Sequence, residues 1–270
     1  MSAWTALAGN DPEIRNLMLF DGNCQLGLSD FTVSGAPTSV AQLTAEMDHR
    51  GIAEALVYHA SAAGYNPGVG NATLAAEISG IPRLHGCWVV FPHHTGEMPA
   101  PDLLVEGALA AGIRAVRMFP VRHRFLLADW SANELLEKLN EHRLPLFLDY
   151  ERTHWSENVV DYDSVFRICK DFPALPLILI REGIGSTRYL YPLLEKLGNL
   201  HIEISYYQPP GGLEDISNKF GAKHLLFGTG LPTYEAGPVI SMLLCSDISS
   251  EEKRLVAGDN LRSLLSAVRL

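Results

Sequence analysis

Carboxyl, guanidinium and imidazole groups in this sequence sit repeatedly at or just after short apolar runs. Asp21, Asn23 and Gln25 follow the first run, His59 the second, and His93 with His94 the third. Arg117 lies in the fourth, Asp149 and Glu151 close the fifth, Arg181 follows the sixth, and Glu203 lies in the seventh. Arginine forks match carboxylates and phosphates in charge and geometry. Arg117 and Arg181 therefore suggest an anion site, in which one arginine pairs with Asp149 and the other meets a substrate carboxylate or phosphate. The same residues also suit a purely structural ion-pair network. His59 is the candidate general base, with Asp149 as the second candidate catalytic group. Neighbouring residues on a strand face opposite ways, so at most one of His93 and His94 can join them. Cys24 alternates with Asn23 and Gln25 and reads as a core thiol, because a nucleophile would need an adjacent base and a lowered pKa. Ser186 and Thr187 suit a helix cap or a phosphate contact. Trp130, Trp155, Tyr206, Tyr207 and Tyr234 fall in or near loops, as a pocket wall or as packing.

These residues form one site only if the elements before them end on a common face. Eight apolar runs recur: Leu17 to Phe20, Ala55 to Tyr58, Gly86 to Phe91, Ile113 to Phe119, Leu144 to Leu148, Leu175 to Ile180, Leu200 to Ser205 and Lys223 to Phe227. Helical periodicity fills the intervals over Val40 to Arg50, Ala72 to Ile78, Asp102 to Ala111, Ala132 to His142, Tyr162 to Asp171, Arg188 to Leu197 and Leu213 to Phe220. Two further helical pieces, Gly237 to Cys245 and Glu251 to Val268, follow the last run. Ser131 with Glu134 and Ser249 with Glu252 have capping-box spacing. Strand and helix in strict alternation imply a parallel sheet covered by helices. Eight units in 270 residues suit a closed (β/α)8 TIM barrel, as one domain over residues 1–270. The dinucleotide fingerprint GxGxxG, which would favour an open doubly wound sheet, is absent. In such a barrel the chemistry sits at the C-terminal strand ends, where these residues fall.

Several segments in register resemble the amidohydrolase-related barrels, the amidohydrolase superfamily. Phe20-Asp21-Gly22-Asn23-Cys24-Gln25-Leu26-Gly27 is similar to that family's first-strand Asp-x-His-x-His-x-Gly, with both histidines replaced. Segments 112–117, 144–149, 177–183 and 225–232 resemble its strands 4, 5, 6 and 8, and Gly258-Asp259-Asn260 its closing Gly-x-Asn. The resemblance implies a metal-dependent-hydrolase fold, whose members hold one or two divalent ions that activate water or support decarboxylation. Matched residue by residue, the ligand set becomes Asn23, Gln25, Asp149, Arg181 and Gly230. Zinc takes imidazole, thiolate or carboxylate, and of these five only Asp149 qualifies. Arg181 adds a cation, and two like unit charges 4 Å apart repel by about 4 kcal/mol at an effective dielectric near 20. No metal and no cofactor are expected. A site of carboxylates alone (Asp21, Asp149, Glu151, Glu203) is a third option, which Arg181 opposes.

The expected function is a metal-independent hydrolase or lyase acting on a small anionic molecule. His59 or Asp149 would serve as base, with Asn23, Gln25, Arg117, Arg181 and Glu203 binding the substrate. The alternative is a catalytically inactive barrel that binds a small acid or a partner protein. With 21 Lys+Arg against 31 Asp+Glu, the net charge of −10 excludes a nucleic-acid binder and a polybasic membrane-surface protein. The four cysteines, Cys24, Cys87, Cys169 and Cys245, form no CxxC pair, as expected of reduced thiols. No apolar run is long enough for a membrane span and the first ten residues do not read as a signal peptide, so a cytoplasmic location is expected. Homo-oligomerisation is left open.

Overall fold

The computed structural model describes residues 12–29, 35–151 and 160–270, so Trp155 lies outside the described residues. Eight strands follow one another: β1 (Leu19–Leu26), β2 (Ile52–His59), β3 (Leu84–Val89), β4 (Ala115–Met118), β5 (Leu146–Asp149), β6 (Leu177–Ile180), β7 (Leu200–Glu203) and β8 (Leu225–Leu226). Each is parallel to the next, in sequential order. Hydrogen bonds from Gly22 N to Phe227 O, from Gly230 N to Asn23 O and from Gln25 N to Leu231 O join β1 to β8 and the segment after it. With helices in the intervals, this is the expected (β/α)8 barrel. Among the described residues no helix is long and apolar enough to cross a membrane.

Alternation along the strands builds two apolar layers. Phe20, Leu56, Val89, Ala115, Phe147, Ile178 and Leu226 fill the barrel, while Leu19, Val57, Val116, Leu148, Leu179 and Leu225 pack against the helices. The strand β1 departs from the expected Leu17 to Phe20. It starts at Leu19 and runs on through the polar Asp21 to Gln25, all buried, because a barrel interior can bury polar side chains that pair with one another. Its register slips between Asp21 and Cys24, where three steps oppose the two from Ala55 to Val57 on β2. That extra residue is a bulge. Strict alternation from Phe20 would send Cys24 inward; the bulge changes the phase and turns Asn23 and Gln25 inward instead.

Helix boundaries follow caps more than periodicity. The helix expected at Ala72 begins at Pro67, with Asn66 as N-cap and proline in the first turn. Gly70 permits it, since a Cβ there would stand 2.2 Å from Ala62 N. The Ser249–Glu252 capping box forms as expected. The one at Ser131 does not: that helix spans Asp129–Glu141, so Ser131 lies inside its first turn and Ala128 is the N-cap. The helical stretch expected over Glu251 to Val268 runs unbroken over residues 250–266, with its middle, Leu255–Asp259, wound as a π-helix.

Beyond Gly86, the last β3 residue paired with β2, the side chain of Asn71 continues the ladder. Its Nδ2 donates to Val89 O at 2.8 Å and its Oδ1 accepts from Val89 N at 2.9 Å. Asn71→Ala would leave a buried N–H and C=O unpaired. Denaturant unfolding should show a loss of about 1–3 kcal/mol; an unchanged midpoint would mean that Val89 finds another partner.

Candidate functional site

The inward positions at the C-terminal ends of the strands are polar and linked. On β4, Ala115 and Phe119 face the barrel, so Arg117 between them does too. Its guanidinium hydrogen-bonds Asp149 Oδ2 at the end of β5 and donates from Nη1 to Asn23 Oδ1 at 2.9 Å. It stacks over the Tyr58 ring, 4.2 Å from the centroid, and Tyr58 Oη donates to Gln25 Oε1 at 2.7 Å. Asn23 Nδ2 donates to Glu203 Oε2 at 3.0 Å, which also accepts from Ser205 Oγ at 2.8 Å. A continuous chain thus runs across the mouth, from Asp149 through Arg117 and Asn23 to Glu203 and Ser205.

Arg181 comes from β6 against the alternation. Ile180 faces inward, so the next side chain would point outward, but Arg181 has φ +61 and this left-handed turn brings its guanidinium back over the mouth. Its Nε lies 3.5 Å from Asp149 Oδ2 and, though buried, makes no hydrogen bond. Asp149 is therefore shared by two guanidiniums, as the ion-pair reading expected, with Arg117 making the hydrogen bond. Glu151, at φ +50, holds Arg122 through both carboxylate oxygens at 2.7 and 2.8 Å from Nε.

The electrostatics separate the two central acids. Burial pushes Asp149 upward, but Arg181 and Arg117 outweigh it and hold the carboxyl below its ordinary range. At Glu203 burial dominates and raises the carboxyl to about 7, despite the hydrogen bonds from Ser205 and with Asp21 adding repulsion. Gly228 makes room for it, since a Cβ there would stand 2.2 Å from Glu203 Oε1. Asp21 stands apart from the site as a brace from β1 to β8, accepting from Thr229 N, Thr229 Oγ1, Asn23 N and Cys24 Sγ. Cys24 is the buried core thiol expected, pushed well up by burial.

His59 is not brought into this cluster. Tyr58 faces the barrel, so His59 faces the helix layer, where its ring fills the space over Gly27. Its Nδ1 accepts from Ser61 N at 3.2 Å, capping the next short helix, and Nε2 lies 3.8 Å from Glu77. His93 and His94 lie past β3 in a 3-10 turn with rings 4.5 Å apart, so strand alternation does not govern them. Ser186 makes no side-chain cap bond. Of the aromatics, Tyr234 is over the mouth and stacks on Tyr206 at 5.6 Å, Tyr207 is buried and Trp130 is exposed. Tyr234 was among the loop aromatics that the sequence offered as pocket wall or packing; what sequence reasoning missed is the proton-holding capacity of Glu203.

The positions aligned with the family's metal ligands do not fit a divalent cation. Asn23 and Gln25 already accept from Arg117 and Tyr58, and Asp149 is flanked by two arginines. Gly230, at φ +74, has the Tyr234 ring where a side chain would begin. Among the described residues no three His, Cys, Asp or Glu gather as a metal would require. The central cavity, lined by Gln25, Tyr58, Glu151, Arg181 and Thr233 among others, measures about 20 Å³, room for one water.

No family model matches the chain, and no curated protein does. Solved structures match along nearly its whole length. The 5-carboxyvanillate decarboxylase LigW of Sphingomonas paucimobilis aligns at 14% identity over 93% of this chain and 99% of its own, with a TM-score of 0.73. A dihydroxybenzoic acid decarboxylase of Polaromonas sp. JS666, with bound manganese and 2-nitroresorcinol, aligns at 14% identity over 92% and 96%, with a TM-score of 0.68. A candidate amidohydrolase of Staphylococcus aureus aligns at 13% identity over 92% and 99%, with a TM-score of 0.66. What this chain shares with these proteins is the fold, a (β/α)8 barrel.

Asp149→Leu would leave two buried guanidiniums without a counter-charge and should cost about 3–5 kcal/mol in denaturant unfolding. Arg117→Met and Arg181→Met should each cost less, since one arginine still faces the carboxylate; equal losses for all three would contradict the shared pair. Glu203 has its own pH signature. With a folded pKa raised from 4.5 to about 7, its contribution to stability is complete below 4.5 and lost as pH rises through 7. Asp149 has the opposite sign, its contribution being present above 3.8 and lost as pH falls through its lowered value. Glu203→Gln should therefore remove a loss of about 3 kcal/mol between pH 4.5 and 8. A wild-type slope retained by the variant would place that proton elsewhere.

Proposed function

We propose that this chain is an amidohydrolase-related barrel that has lost its metal centre and works as a metal-independent hydrolase or lyase on a small anionic molecule. The observation that carries the proposal is the unsatisfied Nε of Arg181 beside the mouth cavity, with two guanidiniums sharing one carboxylate. Arg122 is balanced by Glu151, and Glu203, its carboxyl raised to about 7, carries less than a full charge near neutral pH. The mouth therefore keeps a surplus of positive charge that a substrate carboxylate would neutralise, although the chain as a whole carries −10. Screening at physiological salt confines the remote charges to about 8 Å, so the local sign decides.

In this reading Arg181 binds the anion and Arg117, fixed by Asp149 and Tyr58, stabilises negative charge that develops beside it. Asn23 and Gln25 orient the ligand. Asp149, held ionised between cations, is a weak base and acts as the arginines' counter-ion. Glu203 is the group suited to give and take a proton near neutral pH, with Ser205 Oγ beside it. His59 takes no part, since its ring serves the helix layer. Two of the similar structures are decarboxylases of aromatic acids, which supports the lyase arm.

The second reading, a barrel that binds an acid without turning it over, is favoured by a polar network that largely satisfies itself. Both readings place an anion against Arg181. In a thermal-shift comparison of small carboxylates with their amides, the carboxylates should stabilise the wild type. At a hundredfold excess over Kd the gain is about 2.7 kcal/mol, or roughly 5–11 °C for a chain of this size. Arg181→Met should abolish the gain; stabilisation by amides alone would overturn the anion assignment. Turnover of a stabilising carboxylate that falls with Glu203→Gln selects the enzyme over the binder.

A further inference from the structure

A larger cavity of about 590 Å³ opens beside the central mouth, between the segments that follow β2, β3 and β4 and the first turn of the helix Asp129–Glu141. That volume lies in the small-molecule range of about 300–1,000 Å³. Phe91 and Phe125 line it with ring centroids 6.5 Å apart. Tyr65, Leu126 and Trp130 also line it, and they are 82%, 63% and 77% exposed. Large apolar side chains gathered this way around one concavity mark a binding surface, unlike the same residues scattered singly.

The charges say what it would bind. Arg124 lines the cavity and has no acid partner among the described residues. It stands at φ +53, where glycine is the residue of least strain, so a cation occupies a position that the backbone alone would give to glycine. The adjacent helix has Ala128 as N-cap, whose side chain offers nothing to the first-turn N–H groups, and the acid of that turn, Asp129, is held by Arg167 at 2.7 Å. The carboxylate in the lining, Glu97, accepts from Thr95 Oγ1 at 2.6 Å. Aromatic walls with a cation that no acid pairs suit a flat ring carrying a single negative group at that cation.

We propose that this rim cavity is a second binding site, for an aromatic anion, with the ring against Trp130 and Phe125 and the negative group at Arg124. It shares only Ala63 and Arg122 with the lining of the central cavity, so it stands or falls separately from the reading of the mouth. Isothermal titration with 2-naphthoate, 2-naphthamide and phenyl phosphate tests it. Naphthoate should bind at least roughly tenfold more tightly than the amide, as an added charge-assisted hydrogen bond implies. Arg124→Gly, which suits the left-handed backbone and should melt no lower than the wild type, should erase that preference. Trp130→Ala should weaken both naphthyl compounds, and Arg181→Met should change neither. Tighter binding of phenyl phosphate, lost with Arg124→Gly, would support the site and assign it to phosphates. Equal binding of naphthoate and naphthamide, an Arg124→Gly variant that binds as the wild type does, or a loss confined to Arg181→Met would overturn the proposal.

Discussion

Asp149 is the one carboxylate on which the barrel mouth depends. It is fully buried, between the guanidiniums of Arg117 and Arg181. An isolated buried charge is too costly to persist, so each arginine requires this acid and the acid requires at least one of them. The surrounding backbone is shaped to deliver them. Alternation along β4 and β5 brings Arg117 and Asp149 inward, while a left-handed residue returns Arg181 over the mouth. The bulge in β1 turns Asn23 toward the free side of Arg117. Such an arrangement need not make the fold more stable than an apolar core would, but it fixes one geometry for the groups around it.

The polar chain ends in a group of opposite character. Asp149 is kept ionised by its neighbours, whereas Glu203, one network away, is kept near neutrality by burial with no arginine in hydrogen-bond contact. Two carboxyl groups driven apart in this way divide the labour of a site: one holds cations in place and the other can carry a proton. Gly228 and Gly230 make the division sterically feasible, the first by leaving space for Glu203 and the second by admitting the Tyr234 ring.

The fold was legible because it depends on a coarse signal, the eightfold recurrence of apolar runs and helical intervals. Asn23, Gln25, Arg117, Asp149, Arg181 and Glu203 could be placed at the mouth from the register of those runs, and the structure brings them there. Phase was the harder matter. His59 and Tyr58 are adjacent at the end of β2, and only the direction of the pleat decides which enters the barrel; the tyrosine does. The bulge after Asp21 and the left-handed Arg181 also have no simple sequence mark, since non-glycine residues adopt both. The helix at Asp129 begins without the serine cap that its sequence offers: Ala128 is its N-cap and Ser131 lies in its first turn.

A mouth held by Asp149 between two arginines has no place for the divalent ion that the resemblance implies. Elemental analysis of protein expressed with added zinc and manganese measures this directly. Only substoichiometric traces should co-purify, at the same level in the wild type and in Asp149→Ala. About one equivalent of metal in the wild type, lost in Asp149→Ala, would contradict it.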